Sequence, residues 1–466
     1  MSPTIEYSAI SSALERQELF ENKTWRLSPR AYGVTPDELE EIEKIGTACL
    51  EFHKALENLY LKSVADRNIL RNRELKAPWV AEYLERGKPA SVVAWNRASA
   101  LRGAFPPVIR PDLIVSAEGF SVTEMDSVPG GIGLTAFLNR LYAEADEAIV
   151  GRGDRMLTGY YEALARLAPD RHSPLVAIVV SEEAATYRPE MLWLAEELRT
   201  LGKRVYCVRP EELFPLGSAL HLDVEGSPEK VDVIYRFFEL YDLENIPGID
   251  FMLEALEKGE VVIAPPLRTF QEEKLALALF HHHLLEEYWR ENLSRSGRRV
   301  LAGLIPESWV VDPAPLPPGA VFAGPTVGGR PLSDWKDLAG ASQKDRNLIL
   351  KISGFHETAE GARSVLLGSD CSREEWGEGI EEAVAASSDN PYILQRYRKP
   401  VRTRHPIYAA NDKVEEREGR TRLCPYFFNL GDHVELGGIL ATFCPADKKI
   451  IHGMTDAALL PCRVGR

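Results

Sequence analysis

The pattern of apolar and polar positions divides the chain into stretches of different periodicity. From Pro36, the segment PDELEEIEKIGTACLEFHKALENLYLKSV places apolar residues at helical spacing and acidic residues in its first turn. Between residues 174 and 265, continuous apolar runs such as VAIVVS and VDVIYRFF alternate with amphipathic segments. This alternation predicts a parallel sheet with helices on both faces, and ligands of such layers bind at the carboxyl ends of the strands.

Two other stretches predict further strands. Residues 106–131 contain the apolar runs PDLIVS and FSVTEMD joined by a short turn, which indicates a β-hairpin that leads through a Pro-Gly-Gly turn into a helix. Residues 311–331 are rich in Pro and Gly and are interpreted as a linker or lobe boundary. Beyond it, LILKISG, YILQRY, RLCPYFF and ELGGILATF predict a last group of strands.

These patterns predict an α/β protein made of several lobes. We expect a mostly helical segment over 1–105, a hairpin and helix over 106–150, and a parallel α/β domain over 151–300. A linker over 301–345 and a last lobe over 346–466 complete the prediction. The length of 466 residues fits this number of lobes.

Composition and charge exclude some classes of function. The net charge of −15 argues against a protein that binds the phosphate backbone of nucleic acids. No apolar run approaches the roughly 18 residues of a membrane-spanning helix, and the N-terminal stretch lacks the pattern of a signal peptide. Six scattered cysteines without a CxxC pair favour a reduced, cytoplasmic protein. Nothing in the sequence indicates the oligomeric state.

The predicted hairpin carries three carboxylates. Asp112 lies on its first strand, and Glu124 and Asp126, two residues apart, share one face of its second strand. Three carboxylates at this place would repel one another unless a cation holds them, and Mg²⁺ accepts carboxylates together with substrate phosphates. The alternative is a solvated acidic face of an ordinary hairpin.

A lysine inside an apolar strand suggests an anion site. Lys351 lies between Leu350 and Ile352, where an unpaired ammonium would be costly to bury. A bound phosphate would account for it, with the following loop offering backbone N–H groups. The alternative is an edge strand whose lysine points into water.

Three other segments carry weaker signals. Gln395 and Tyr397 end an apolar strand where an amide and main-chain groups could read an adenine edge, although an ordinary buried strand has the same pattern. Arg236 ends a parallel strand, where it could clamp a substrate carboxylate or instead pair with a nearby acid. Lys274 lies near the start of a helix and alone is typical of a surface lysine.

Together these segments resemble the ATP-grasp superfamily. RPDLIVSAEGFSVTEMDSVPGG looks like its metal-binding hairpin, and LILKISG with FHETAEGA looks like its phosphate-binding strand and loop. YILQRY looks like its adenine-binding linker, and VDVIYRFFE like the end of its preceding α/β domain. The resemblance covers about residues 105–460. The hairpin here precedes the lysine strand, whereas in the family it usually comes last, so the chain resembles circularly permuted members similar to glutathionylspermidine synthase and glutathione synthetase.

The resemblance implies an ADP-forming ligase that joins a small-molecule or peptide carboxylate to an amine through an acyl phosphate. It implies ATP and Mg²⁺, with the metal on Asp112, Glu124 and Asp126. The remaining implied roles are phosphate binding by Lys274 and Lys351, loop closure at Gly354 and Gly361, adenine contacts from Gln395 and Tyr397, and substrate orientation by Arg236. Two other classes remain open: a kinase on the same fold, and a nucleotide-binding protein without catalysis.

Overall fold

The fold is given by a computed structural model that describes residues 4–17, 19, 24–314, 316–317, 320–359, 363–409, 412–451 and 456–465. Within these ranges the chain forms twelve α-helices and twenty strands. The helices are α1 (Tyr7–Glu15), α2 (Pro36–Val64), α3 (Pro78–Glu85), α4 (Ala90–Arg97), α5 (Ile132–Ala143), α6 (Arg155–Ala165), α7 (Arg188–Thr200), α8 (Ile249–Glu257), α9 (Leu275–Phe280), α10 (Glu286–Asn292), α11 (Arg295–Leu304) and α12 (Arg373–Ala385). The strands are β1 (Tyr32–Val34), β2 (Val108–Ser116), β3 (Gly119–Asp126), β4 (Val176–Val180), β5 (Val205–Val208), β6 (Phe214–Leu216), β7 (Ala219–Val224), β8 (Ser227–Lys230), β9 (Val233–Phe237), β10 (Val262–Ala264), β11 (Ser308–Val310), β12 (Thr326–Val327), β13 (Arg330–Pro331), β14 (Leu348–Ile352), β15 (Leu366–Leu367), β16 (Tyr392–Arg396), β17 (Thr403–Tyr408), β18 (Val414–Asn429), β19 (Val434–Pro445) and β20 (Ala458–Val464).

The largest sheet joins segments from both ends of the sequence. Its order is β1-β20-β19-β18-β2-β3, and β17 pairs with β18 outside this path. The neighbours are antiparallel except for β1 and β20, which run parallel. The predicted hairpin is confirmed as β2 and β3, and it shares this sheet with β19. Residues 1–105, which were expected to be mostly helical, also contribute β1 to this sheet.

A second sheet confirms the predicted parallel layer. Strands β10, β9, β4 and β5 pair in this order, all parallel, with α7 and α8 between them along the chain. All five residues of β4 and of β9 are buried, as the continuous apolar runs predicted. The sequence analysis did not anticipate the small antiparallel sheet β6-β7-β8, which follows β5.

The third sheet contains the strand of Lys351. Its order is β11-β16-β14-β15, with antiparallel neighbours throughout. In its register Lys351 lies opposite Ile393, and Ile349 lies opposite Gln395. β14 is therefore an interior strand of this sheet, because β16 and β15 pair with its two edges. The interpretation of Lys351 as a residue of an edge strand is wrong.

Helix α2 packs on the large sheet and begins with a strong N-terminal signal. The Thr35 hydroxyl accepts from the Glu38 N–H, while the Glu38 carboxylate accepts from the Thr35 N–H, which forms a capping box. Gly46 lies against the Phe427 ring of β18, where an added Cβ would come within 2.4 Å of the ring. A larger residue at this position would separate helix from sheet. One continuous apolar core includes this helix, the large sheet and one face of the parallel sheet. No helix in the described part of the chain is long and apolar enough to cross a membrane.

Candidate functional site

A cavity of about 660 Å³ lies where the three main sheets meet. Its floor is one face of the large sheet, and β14, β16 and the segment after β9 contribute walls. Eight of the predicted site residues line it, namely Asp112, Glu124, Asp126, Lys274, Lys351, Gly354, Gln395 and Tyr397. The hairpin β2–β3 and the strand of Lys351 are more than two hundred residues apart in the sequence, so this convergence depends on the tertiary fold.

The carboxylates of the hairpin already have cationic partners within the chain. Arg110 forms an ion pair with one carboxylate on each strand of the hairpin. Its Nε lies 3.1 Å from an Asp112 oxygen, and its Nη2 lies 2.7 Å from an Asp126 oxygen. Arg422 of β18 lies 2.7 Å from the second Asp112 oxygen. The arginine side chains therefore offset part of the expected repulsion among the carboxylates, a role that the sequence had suggested for a metal.

Asp112 does not fit the role of a metal ligand in this arrangement. Its side chain is only 1% exposed, and Arg110, Arg422 and the Cys424 thiol occupy its two oxygens. In the residues that the structure describes, no group of three or more His, Cys, Asp or Glu side chains could hold a metal ion. Glu124 and Asp126, 34% and 29% exposed, remain the hairpin carboxylates that a ligand in the cavity could reach.

The ionisation of the hairpin carboxylates follows from these pairs. Burial alone would raise the pKa of Glu124, but the charges of Lys274 and Arg110 outweigh it and lower this pKa to about 2. Burial raises the pKa of Asp126, and the neighbouring Glu124 adds to the rise, although Arg110 opposes it. Glu124 is therefore anionic at neutral pH, with Lys274 Nζ 3.1 Å from its oxygen.

Lys351 is held in the cavity wall without a bonded carboxylate. Its Nζ donates to the Thr123 carbonyl at 3.2 Å and to Gln395 Oε1 at 3.0 Å. The residue is 3% exposed. Burial, with a contribution from the nearby charge of Lys274, lowers the pKa of Lys351 to about 8. The protein thus keeps a desolvated ammonium in a cavity, where two neutral oxygens are its hydrogen-bond partners.

Gln395 and Tyr397 line the cavity beside this lysine, with different partners. The Gln395 amide is engaged on both sides, because its Nε2 donates to Ser308 Oγ at 3.0 Å while its oxygen accepts from Lys351. Its side chain therefore orients Lys351. The Tyr397 hydroxyl is buried and has no hydrogen-bond partner within the described part of the chain, so a ligand could bond it.

The loop after β14 packs on the start of α9. The Lys274 N–H donates to the Ser353 carbonyl, and Lys274 Nζ donates to the Ala359 carbonyl at 3.0 Å. Gly354 lies so close to the Glu273 side chain that an added Cβ would come within 2.5 Å of it. Lys274 therefore ties this loop to Glu124 across the cavity. Gly361, the second predicted loop glycine, lies outside the described residues.

Arg236 lies in the core and does not line the cavity. It is 0% exposed and donates to the carbonyls of Phe238, Pro265 and Pro266. It also pairs with Glu272, whose pKa is raised to about 7, chiefly by burial, although Arg236 opposes the rise. The structure corrects the expectation that Arg236 contacts a substrate. The guanidinium holds Glu272 at the cavity wall, and the sequence showed only that an arginine ended a strand.

Gly130 and Gly131 of the Pro-Gly-Gly turn also line the cavity. Gly131 adopts φ +87° at the start of α5, a conformation that favours glycine. The Glu190 carboxylate accepts from the N–H groups of Gly131 and Gly133 at 3.1 and 2.9 Å. The start of this helix is therefore capped by a side chain of α7, which joins the parallel layer to the large sheet.

Sequence reasoning missed three site residues that the fold brings in. Arg110 lies two positions before Asp112, so strand alternation alone places both on one face, and this signal was readable. Arg422 reaches Asp112 from a strand about three hundred residues away, and Glu272 adjoins the site through a loop. These two positions carry no local pattern that could have identified them.

The fold resembles known synthetase-like structures. No protein-family model matches the chain, and no curated protein sequence matches it. The solved apo structure of a glutathione synthetase-like effector from Globodera pallida aligns with 94% of this chain and 90% of that chain, with 11% identity and a TM-score of 0.54. A candidate gamma-glutamylcysteine synthetase from Methylobacillus flagellatus aligns with 79% of this chain and 83% of that chain, with 13% identity and a TM-score of 0.43. The first similarity shows that this chain shares the mixed α/β fold of a glutathione synthetase-like protein.

Proposed function

We propose that this protein is an ATP-grasp ligase, forming ADP while it joins a carboxylate to an amine. The shared fold with a glutathione synthetase-like protein supports the class of enzyme. The cavity, whose lining includes Lys274, Lys351, Arg110 and accessible carboxylates, supports a site for a polyphosphate. The substrates are small molecules or peptides that carry the two reacting groups.

The observation that carries this proposal is that the Lys351 ammonium is buried and, among the described residues, is hydrogen-bonded to neutral oxygens and to no carboxylate. A buried ammonium is costly unless an anion accompanies it. Its two side-chain and main-chain partners are neutral oxygens, and its pKa is lowered to about 8 by burial and by Lys274. A phosphate group in the cavity would supply the missing negative charge and raise this pKa again. Lys274, shared between Glu124 and the loop carbonyl of Ala359, would contact the same phosphates.

Two of the three hairpin carboxylates predicted to bind metal would hold Mg²⁺. Mg²⁺ is commonly held by one or two carboxylates, with waters and substrate phosphates at its other positions. Glu124 and Asp126 are the hairpin carboxylates with exposed oxygens, so they would hold the ion. When bound, the metal would neutralise charge on the transferred phosphate. Asp112 instead orients the guanidinium groups of Arg110 and Arg422.

The proposed reaction has two steps. A substrate carboxylate oxygen attacks the γ-phosphorus of ATP, and ADP leaves with the electrons of the broken P–O bond. The amine nitrogen then attacks the acyl carbon, phosphate leaves, and the nitrogen loses a proton as the amide forms. Lys351, Lys274 and Arg110 would neutralise the charge that moves through these steps. The loop tied down by Lys274 would limit the access of water to the acyl phosphate.

The order of the motifs supports a permuted arrangement. The hairpin β2–β3 precedes the lysine strand β14 in the sequence, and it shares a sheet with β19. Strands β1 and β20, which are more than four hundred residues apart in the sequence, are neighbours in that same sheet. We include this circular permutation, similar to that of glutathionylspermidine synthase, in the proposal.

The test is product analysis with pooled substrates. The protein is incubated with Mg·ATP, a pool of carboxylic acids and a pool of amines, and each pool is omitted in turn. The proposal expects ADP, phosphate and an amide product when both pools are present. A stable phosphorylated product without an amine requirement would make the protein a kinase. Nucleotide binding without turnover under every condition would make it a binding protein, and either result overturns the proposal.

A further inference from the structure

A row of side chains crosses the cavity floor away from the lysines. The strand register places five residues opposite one another on β20, β19, β18, β2 and β3, namely Leu459, Thr442, Arg422, Ile114 and Ser121. All of them line the cavity. Because adjacent strands bring directly opposite side chains together, this row is a continuous strip of one surface.

Two hydrogen-bond donors in this row lack partners among the residues that the structure describes. Thr442 is 0% exposed and lines the cavity, and its hydroxyl has no hydrogen-bond partner in the described ranges. Arg422, directly opposite it, bonds Asp112 through Nη1, whereas its buried Nε has no hydrogen-bond partner there. A buried polar atom without a partner is costly, and native proteins rarely keep one without a reason. Two such donors from neighbouring strands, facing one cavity, indicate an acceptor that arrives with a ligand.

The surroundings of these donors are apolar. Leu440 and Leu459 flank Thr442 on the cavity floor, and Ile114 packs with Ile451 on the other side of Arg422. The row therefore combines one guanidinium and one hydroxyl with an aliphatic border. A phosphate group would gain little from such a border, whereas an aliphatic carboxylic acid matches both parts.

We propose that Arg422 and Thr442 form the seat for a carboxylate of the substrate, whose aliphatic part lies against Leu440 and Leu459. This seat deepens the proposed ligase function and rests on it for the identity of the ligand as a substrate. It also takes over the role that the sequence suggested for Arg236, which the fold holds in the core. The guanidinium remains anchored by Asp112, so it is oriented before a ligand arrives.

The test uses isovalerate as a probe and isovaleramide, its neutral isostere, as the ligand control. Binding is measured by saturation-transfer NMR and thermal shift on the full chain without nucleotide. Two variants remove the donors: Thr442→Val replaces the hydroxyl at constant volume, and Arg422→Gln removes the charge. Thr421→Val is the matched control, because Thr421 is equally buried with an unpartnered hydroxyl, but it does not line the cavity.

The seat predicts millimolar binding of isovalerate and weaker binding of isovaleramide. Arg422→Gln should weaken isovalerate binding at least about tenfold and Thr442→Val about threefold or more, with Thr421→Val unchanged. Thr442→Val should unfold no earlier than wild type, because the lost hydroxyl has no partner in the protein, and this keeps the test valid if Arg422→Gln folds poorly. Failure of isovalerate to bind wild type, or equal binding by Thr442→Val and Thr421→Val, overturns the seat.

The outcome separates the seat from the proposed function. Mg·ATP binding is measured on the same variants, none of which alters Lys351 or Lys274. If isovalerate binds as predicted but Mg·ATP does not, the ligase proposal fails while the carboxylate seat stands. If Mg·ATP binds and isovalerate does not, the seat fails and the nucleotide site stands.

Discussion

Charged side chains on the floor of the cavity form ion pairs, whereas the buried lysine in its wall is hydrogen-bonded to neutral oxygens. On the floor, Arg110 pairs with two carboxylates and Arg422 with one of them, so the charges compensate one another within the protein. In the wall, Lys351 has two neutral oxygens as partners and a pKa lowered to about 8 by burial. A buried charge that is paired within the protein supports the fold, whereas a buried ammonium bonded to neutral oxygens favours a ligand. Asp112 of the predicted metal-binding hairpin is held by protein partners, and Lys351 carries the stronger sign of function.

The largest effect should come from breaking the compensated floor. Arg110→Met leaves Asp126 without its cationic partner and leaves the buried Asp112 with Arg422 as its remaining cationic partner. Loss of one partner of a buried pair costs about 3–5 kcal/mol. Urea unfolding should show a loss of this order, whereas Arg396→Met, which breaks an exposed pair with Glu307, should change stability little. Equal stability of the two variants would mean that the floor is not held by these pairs.

Substitution of Lys351 in the cavity wall should not lower the free energy of unfolding at neutral pH, in contrast to substitution of Arg110 on the floor. In the unfolded chain Lys351 titrates near its usual pKa of about 10.4, and in the folded protein near 8. Between these values the unfolded state binds more protons, so stability contributed through this lysine rises with pH across about 8 to 10. The rise is up to about 3 kcal/mol, and it should be absent in Lys351→Met, which should be at least as stable as wild type at neutral pH.

Chemical unfolding of both proteins across this pH range measures the difference. Other groups titrate in the same pH range, so the informative quantity is the difference in free energy of unfolding between wild type and Lys351→Met. This difference should become smaller as the pH rises. A difference that stays constant, or a variant that is less stable at neutral pH, would show that the ammonium is already compensated.

A smaller effect is expected at the junction of floor and wall. Glu124 pairs with Lys274, and its pKa of about 2 lies below the unfolded value of about 4.3. Its contribution is therefore present above about pH 4.3 and is lost as the pH falls towards 2. Because the side chain is 34% exposed, solvent screening limits this contribution to about 1 kcal/mol. Glu124→Gln should lose this amount at neutral pH and match wild type in acid. If Glu124→Gln is more stable than wild type, the hairpin carboxylates instead repel one another in the folded protein.

The sequence predicted the parts of this fold that local patterns encode. The hairpin, the parallel layer and the long helix α2 appeared from periodicity, because each is defined by residues close together in the chain. Burial of Lys351 was one of the two alternatives that its apolar neighbours left open, and the structure shows that this lysine is buried. The pairing of Asp112 with Arg422 could not be predicted, since it depends on the register of strands more than three hundred residues apart. The enclosure of Arg236 depends on a loop that returns over the end of its strand, which no spacing in the sequence reveals.

The central claim is that the cavity wall binds nucleotide phosphate through Lys351. Calorimetric titration of Mg·ATP into wild type, Lys351→Met and the exposed-site control Lys336→Met tests it most directly. We predict saturable binding to wild type, unchanged binding to Lys336→Met, and binding at least about tenfold weaker to Lys351→Met, with the fold retained in all three. Equal affinity of wild type and Lys351→Met for Mg·ATP, or no binding to wild type, would show that Lys351 does not bind nucleotide phosphate.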